Sequence, residues 1–199
     1  MKLVSVNVAT AGELFIPQSG RARRIVTGIH KQPVPGPVQV NRLGLDGDEQ
    51  ADLTVHGGLN KAVYAYPSEH YAFWATQRLA ALKREEPLPW GMMGENLTLQ
   101  GIAESAVWVG DRLQIGGPGG VLLEVTEPRQ PCFKFNAKMG FSHAAKMMLQ
   151  AGCSGFYLRV VETGMLQAGD AVVLLPGPRQ TSIAQINERR RTGRQRDLF

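Results

Sequence analysis

The sequence predicts a mainly β protein with a few helices. Nine strand-like runs of 5 to 10 residues follow one another along the 199 residues. The 23 glycines and 12 prolines supply the turns between them, and the 43% hydrophobic content is enough to fill the core of one domain. Many short strands separated by turns are typical of a barrel or a sandwich whose strands run in several directions.

The predicted strands either alternate apolar and polar residues or form short apolar runs. They lie at 3–9, 23–30, 38–45, 62–66, 95–101, 107–116, 121–127, 155–162 and 170–176. Turns are predicted where Gly, Pro, Ser and Asp concentrate. These segments are LFIPQSG (14–20), VPGP (34–37), GGPGG (116–120), ETG (162–164) and QAGD (167–170).

Three segments have helical spacing of their apolar residues, namely 67–85, 136–152 and 181–191. In the second, Ser142 can cap the N-terminus and Gly152 can end the helix. The third can be capped by Thr181 or Ser182. Between the first helix and the following strand, residues 82–94 contain charge, Pro and Gly, which predicts a long loop.

The net charge of +5 belongs to the C-terminal end of the chain. From Arg179 onward there are six arginines and two acids, so residues 1–178 carry 16 cations and 15 anions. A nearly neutral body does not indicate a nucleic-acid-binding domain. The segment ERRRTGRQR (188–196) is either a solvated and partly disordered end or a contact for RNA, an acidic partner or a membrane surface.

Targeting signals and disulfide patterns are also absent from the sequence. No segment reaches the roughly 18 apolar residues of a membrane span, and the N-terminal residues contain no signal-peptide core. Two cysteines, Cys132 and Cys153, do not make a disulfide framework. We therefore expect a cytoplasmic protein with reduced thiols, with no membrane and no nucleic acid as partner.

Common ligand motifs are missing, but a glycine turn stands out. There is no phosphate-binding loop, dinucleotide fingerprint, C-x-x-C or H-E-x-x-H motif, and the acids of 44–52 lack the terminal Glu of a calcium loop. Gly57 and Gly58 follow a short apolar run, with His56 before them and Lys61 after them. This turn either presents backbone N–H groups to an anion such as phosphate or is an ordinary glycine turn.

Cys132 lies between two cations in the segment EPRQPCFKFN (127–136), with Arg129 before it and Lys134 after it. Nearby cations stabilise a thiolate, which is both the nucleophile and the metal ligand, and the two prolines stiffen the loop. The alternative is a buried, inert cysteine, which the Cys-Phe-x-Phe pattern also allows. Cys153 has no cationic neighbours and is interpreted as structural.

Four separated segments together resemble the MOSC domain family, and most closely its stand-alone YiiM-type branch. They are 44–74 (GLDGDEQADLTVHGGLNKAVYAYPSEHYAFW), 91–101 (GMMGENLTLQG), 107–116 (VWVGDRLQIG) and 127–136 (EPRQPCFKFN). The resemblance covers roughly residues 3 to 178 in order and spacing. It implies a mixed-strand β-barrel and a molybdenum cofactor of the molybdopterin type.

The resemblance also implies which residues form the site. Cys132 would give its thiolate to molybdenum or carry sulfur, and His56 is a candidate proton donor. Residues facing the cofactor would come from the glycine turn, the GEN segment and the cationic loop. They are Gly57, Gly58, Lys61, Gly94, Glu95, Asn96, Arg129 and Lys134.

The activity that the resemblance implies is reduction of N-hydroxylated bases or related compounds, with oxygen transfer to molybdenum held by Cys132 and electrons from a separate flavoprotein. Alternatives remain open: a persulfide or cofactor carrier without redox turnover, or a binding barrel in which Cys132 is inert.

The resemblance also gives the domain boundaries, and we expect a MOSC domain over 1–178. Residues 179–199 would be a short basic helix or tail, a shortened form of the helical extension that usually follows in this branch.

Overall fold

The computed structural model describes residues 1–18, 21–51 and 57–196. It contains thirteen strands and four α-helices within these ranges. The strands of the first half are β1 (Lys2–Val8), β2 (Gly12–Gln18), β3 (Arg21–Thr27), β4 (Gln32–Pro33), β5 (Val38–Asn41), β6 (Gly44–Leu45) and β7 (Val63–Pro67). The remaining strands are β8 (Leu97–Gln100), β9 (Arg112–Ile115), β10 (Val121–Pro128), β11 (Phe156–Glu162), β12 (Gly164–Leu166) and β13 (Val172–Leu175).

Eight strands form one large mixed sheet in the order β13-β9-β10-β11-β7-β8-β1-β4. Only the β7–β8 pair is parallel; the other neighbours are antiparallel. Near its two ends the sheet meets itself through a bridge between Lys2 and Ala171 and a backbone bond from Leu3 N to Asp170 O of 2.9 Å. No full ladder between described strands closes a barrel there. The predicted mainly β class is confirmed, and its main element is a curled mixed sheet.

All nine predicted strand runs contain strands, but the sequence missed three others. The segment 14–20 was expected to be a turn, yet β2 occupies Gly12–Gln18 and pairs with β3 as a two-stranded hairpin. The short strands β4 and β12 pair with β1 and β5. In each case pairing with another strand decides the conformation, and the local turn residues do not.

The helices are α1 (Tyr71–Leu82), α2 (Phe133–Met139), α3 (Ala144–Ala151) and α4 (Ile183–Arg196). The single helix expected over 136–152 is wrong: Gly140 adopts φ +82° and separates α2 from α3, and His143 rather than Ser142 occupies the N-cap position of α3. Gly152 ends α3 as predicted. None of the helices in the described ranges has the length and apolar character needed to cross a bilayer.

The C-terminal helix α4 packs on the body. Its start carries a reciprocal cap, because Ser182 Oγ accepts from Gln185 N at 3.1 Å while Gln185 Oε1 accepts from Ser182 N at 2.9 Å. Ile183 is fully buried in the core of the large sheet. The predicted helix over 181–191 is therefore confirmed, and the observed helix extends from Ile183 to Arg196.

Two apolar cores flank the region of interest. One lies inside the curled sheet and includes Leu3, Leu123 and Phe156. The other lies between the sheet and helices α1 to α3 and includes Trp74 and Phe135. The end of β10 and the start of α2 lie next to the second core, and this junction carries Cys132.

Candidate cofactor site

A cavity of about 90 Å³ lies at the junction of β10 and α2, and we call it the Cys132 cavity. Its wall combines a thiol, several cations and two tyrosines. The residues with polar or reactive side chains include Lys31, Asp48, Gln50, Lys61, Tyr64, Asn96, Arg129, Cys132, Lys134 and Tyr157. Segments far apart in the sequence therefore meet around the cysteine that the sequence analysis singled out.

Cys132 is the N-cap residue of α2, with extended backbone angles of φ −122° and ψ −179°. Its side chain is a free thiol that is half-buried and makes no capping hydrogen bond. Arg129 lies close enough to this side chain for the two groups to interact electrostatically. Cys153, in contrast, is buried in the second core, and burial raises the pKa of its thiol to about 12.

Arg129 is buried beneath the cavity and held from several sides. Its Nη1 donates to Met93 O at 2.6 Å and to Tyr64 Oη at 3.3 Å. The guanidinium carbon lies 4.8 Å and 5.0 Å from the ring centres of Tyr64 and Phe135. These contacts fix the guanidinium as a positive charge in the cavity wall.

The charge of Arg129 is stabilised electrostatically as well. Burial alone would lower its pKa, but Tyr64, Tyr157 and Cys132 more than offset this and raise it. Burial likewise raises the pKa of Tyr157, and Cys132 adds to the effect. Arg129, Tyr157 and Cys132 therefore influence one another within one site.

A buried ion pair forms part of the cavity wall, and local sequence patterns did not predict it. Lys31 Nζ donates to Asp48 Oδ1, and the side chains are only 8% and 3% exposed. Asp48 also accepts from Ala9 N and from Asn96 Nδ2, each at 2.9 Å. The only local signal was the acidic segment around Asp48; nothing near Lys31 in sequence indicated that it would reach the cavity.

Residues 52–173, more than half of the chain, match the MOSC domain. The chain belongs to the MOSC domain family.

Named relatives agree with this membership. The chain is 40% identical to YflK of Bacillus subtilis over 153 residues and 37% identical to YiiM of Escherichia coli over 142 residues, or 77% and 71% of this chain. A Gibberella moniliformis protein named "Reductase" is 35% identical over 84% of this chain. The aligned parts span 65%, 61% and 30% of the three relatives, which is less than two thirds of each.

Solved structures give the same result at the level of fold. The crystal structure of YiiM from Geobacillus stearothermophilus superposes with a TM-score of 0.74 at 34% identity, covering 97% of this chain and 85% of that one. YiiM from Escherichia coli gives a TM-score of 0.67 at 28% identity, covering 80% of this chain and 72% of that one. The chain therefore shares both sequence motifs and architecture with YiiM-type MOSC proteins.

The glycines of the MOSC motifs have different positions relative to the cavity. Gly94 lines it with φ +82°, and an added Cβ would lie 2.9 Å from Ile29 Cγ1 and 3.8 Å from Arg129 Nη2. Gly57 and Gly58 do not line it, and the N–H of Gly58 donates to Gln50 Oε1 at 2.9 Å. The N–H of Gly58 is thus directed to a protein partner. His56 lies outside the described residues.

The GEN segment divides between the cavity wall and the core. Asn96 lines the cavity, and its Oδ1 accepts from Tyr64 N at 3.0 Å, so it links β7 to Asp48. Glu95 is fully buried and does not line the cavity. Its Oε1 accepts from Tyr71, Gly91 and Thr98, whereas its Oε2 has no hydrogen-bond partner among the described residues, and burial raises the pKa of its carboxyl.

The two remaining predicted cations, Lys61 and Lys134, both line the cavity. Lys61 Nζ lies 3.6 Å from Glu127 Oε1 and 5.8 Å from the centre of the Tyr157 ring. Together with Lys31 and Arg129 they give the wall four cationic side chains against the carboxylates of Asp48 and Glu49. The balance favours an anionic ligand.

The donor set fits a cofactor that brings its own metal ligands. Among residues 1–18, 21–51 and 57–196, no cluster of three or more His, Cys, Asp or Glu could hold a metal ion by itself. Cys132 offers one soft sulfur, and the surrounding cations suit a phosphate.

Proposed function

We propose that this MOSC protein binds a molybdopterin-type molybdenum cofactor through Cys132 and reduces N-hydroxylated compounds. The observation that carries the proposal is that one free thiol shares a cavity with four cations, Lys31, Lys61, Arg129 and Lys134. When bound, the cofactor supplies the two-electron oxygen acceptor, and the protein binds and orients it.

Cys132 would act as the protein ligand to molybdenum. A thiolate is the form that binds soft metals, and Cys132 presents its sulfur to a cavity whose wall also contains Arg129. Because Tyr64, Met93 and Phe135 immobilise Arg129, the positive charge beside the sulfur is preorganised and does not have to be recruited.

The cations of the cavity would bind the cofactor phosphate. Lys61 and Lys134 both line the cavity; Lys61 lies on the turn after Gly58 and Lys134 on the first turn of α2. Ammonium groups on flexible stems suit a phosphate as point charges. The buried Lys31–Asp48 pair contributes fixed polarity rather than net charge.

Reduction of an N–OH group to an amine consumes two electrons and two protons and releases one water. Lys31 is a candidate source of one proton, because burial lowers its pKa despite the neighbouring Asp48. His56 keeps its proposed role as a second proton donor. The substrate class is a small N-hydroxylated base or amine.

Electrons would come from a separate flavoprotein, since the chain shows no dinucleotide-binding fingerprint and the described residues contain only two cysteines, which lie in different environments. A relative named "Reductase" supports a redox role, although the aligned part is 30% of that protein. The proposal includes a cytoplasmic location, because a reducing compartment keeps Cys132 available as a thiol.

The test is the molybdenum content of the full chain purified from cofactor-producing cells, measured by elemental mass spectrometry. We expect near-stoichiometric molybdenum in the wild type, loss in Cys132→Ser and retention in Cys153→Ala, the matched control for a cysteine outside the cavity. Loaded protein should then reduce an N-hydroxylated base when given a chemical reductant.

Wild-type protein without molybdenum, purified where the cofactor is demonstrably present, would contradict the proposal. Detection of a persulfide on Cys132 in that protein would instead support the sulfur-carrier alternative. Bound molybdenum without catalytic turnover would mean that the protein carries the cofactor but does not reduce these compounds.

A further inference from the structure

Glu127 links the C-terminal helix α4 to one of the cations of the Cys132 cavity. Its Oε1 lies 3.6 Å from Lys61 Nζ, and its Oε2 lies 3.7 Å from Arg190 Nη2. One carboxylate therefore stands between an ammonium group and a guanidinium group from distant parts of the chain. Lys61 lines the cavity, whereas Glu127 and Arg190 do not. Of the three, only Lys61 can touch a ligand seated there, so the other two would act through it.

A β-bulge in β10 places Glu127 beside Lys61. The register of β10 with β11 shifts just before Glu127, so Thr126 is the extra residue. Thr126 Oγ1 donates to Asn60 O at 2.6 Å, which ties the bulge to the turn that carries Lys61. Beyond the bulge Glu127 pairs with Tyr157, and paired residues of antiparallel strands share one face of the sheet. Since Tyr157 also lines the cavity, the carboxylate lies next to the cavity wall.

The carboxylate of Glu127 is shared between its two cations. Both separations are longer than the roughly 2.7–2.9 Å of a direct charge-assisted hydrogen bond. The side chains of Lys61, Glu127 and Arg190 are 25%, 35% and 31% exposed, so water screens the two pairs in part. Arg190 is held in place by the bond from its Nη1 to Pro128 O at 3.1 Å. The position of the guanidinium is thus fixed independently of Glu127.

This sharing determines how strongly Lys61 attracts an anion in the cavity. The carboxylate of Glu127 competes with such an anion for the ammonium group. Arg190 attracts the same carboxylate and so weakens the competition. Loss of the Glu127 charge should therefore strengthen anion binding, and loss of Arg190 should weaken it. The second effect should require that Glu127 is present.

We propose that Glu127 and Arg190 are positioning residues that set the affinity of the Cys132 cavity for an anion such as phosphate, and that both act through Lys61. The inference rests on the anion-binding part of the proposed function and does not require molybdenum. It makes α4 a functional part of the site, although the helix lies outside the cavity.

Inorganic phosphate is the probe, and Cys132 reports its binding. The full chain is purified from cells that make no molybdenum cofactor and is treated with bis(2-hydroxyethyl) disulfide, a neutral reagent. Phosphate in the cavity should slow modification of Cys132 in a saturable way, and the midpoint gives the dissociation constant. Sodium chloride at equal ionic strength controls for general screening.

Glu127→Gln should lower the dissociation constant about threefold and Arg190→Ala should raise it about threefold, as expected for partly exposed ion pairs. In the double variant, Arg190→Ala should add no further effect because no carboxylate remains. Arg190→Lys keeps a cation and should stay near the wild type. Arg191→Ala is the matched control, since Arg191 lies on the same helix and pairs with Glu188. Circular dichroism checks that each variant is folded.

Opposite shifts that disappear in the double variant would support the proposal. Shifts of the same sign, or additive shifts in the double variant, would overturn it, because the two residues would then act as separate charges or through stability alone. Protection that is lost in Lys61→Gln but unaffected by Glu127→Gln and Arg190→Ala would overturn this inference and leave the proposed function standing. No saturable protection in the wild type would overturn both this inference and the phosphate-binding part of the proposed function.

Discussion

Arg190 of the C-terminal helix donates from Nη1 to the carbonyl oxygen of Pro128, 3.1 Å away. Pro128 is buried and ends β10, and the next residues lead to Cys132. Arg190 Nη2 also lies 3.7 Å from Glu127 Oε2. The basic helix is therefore joined to the strand that carries the cysteine loop.

Arg190→Ala should destabilise the protein by about 1–3 kcal/mol, because it leaves the Pro128 carbonyl without its donor. Urea unfolding measures this cost. Arg189→Ala, one residue away on the exposed side, should change stability by less than about 0.5 kcal/mol. Equal effects of the two substitutions would mean that Arg190 does not anchor the loop.

The same variant should increase the rate at which Cys132 reacts with a disulfide reagent, since the loop before it loses an anchor. The reagent reports Cys132 selectively because Cys153 is buried in the second core. An unchanged rate in folded Arg190→Ala would restrict the role of Arg190 to stability.

Lys31 and Asp48 should behave as a coupled pair. Lys31→Met leaves the Asp48 carboxylate buried beside one fewer cation, which costs about 3–5 kcal/mol. Asp48→Asn removes the carboxylate charge, so the double variant should cost clearly less than the sum of the single ones. Urea unfolding of all four proteins gives the coupling energy.

The control for this cycle is the exposed pair Arg24–Glu13, whose side chains are 67% and 43% exposed at a separation of 2.8 Å. Arg24→Met and Glu13→Gln should show a coupling of no more than about 1 kcal/mol. A Lys31–Asp48 coupling energy no larger than that of the exposed pair would show that burial does not strengthen the interaction.

The sequence predicted the part of the site that depends on local spacing. Arg129, Cys132 and Lys134 lie within six residues, so a single short segment brings them together. All three line the cavity. Lys31 could not be predicted in the same way, because its partner Asp48 lies 17 residues away and only the fold makes them neighbours. Long-range pairing decides such contacts, and a single sequence does not display it.

The same limit explains the errors in the fold. Residues 136–152 have continuous helical spacing, and Gly140 is the only local sign that the helix divides. For Gly58, the sequence indicated a glycine turn, and the residue adopts φ +87°. It did not indicate that Gln50 would take the N–H that was expected to face a ligand.

Glu95 should make stability depend on pH. Burial raises the pKa of its carboxyl above the ordinary 4.5, so the native state holds a proton that the unfolded state has lost. As pH rises above about 4.5 the unfolded chain binds fewer protons than the native one, and this contribution to stability falls, by at most about 1.4 kcal/mol per pH unit.

Glu95→Gln removes this titration and keeps the shape of the side chain. Its stability relative to the wild type should therefore improve between pH 4.5 and pH 8, as measured by urea unfolding at each pH. Glu13→Gln controls for the loss of one negative charge. A difference that stays constant over this range would show that Glu95 does not titrate differently in the folded state.

Gly94→Ala should separate local strain from contact with the site. Gly94 has φ +82° and its added Cβ would lie 2.9 Å from Ile29 Cγ1, whereas Gly36 has φ +73° and nothing within 4 Å. Positive φ alone costs about 1–2 kcal/mol in Gly36→Ala, and the steric conflict adds about 1–3 kcal/mol in Gly94→Ala. Because Gly94 and Ile29 both line the Cys132 cavity, a displacement of Ile29 in Gly94→Ala should also lower molybdenum content in protein that is still folded. Gly36→Ala should retain it, and equal molybdenum in both variants would show that Gly94 serves the backbone turn only.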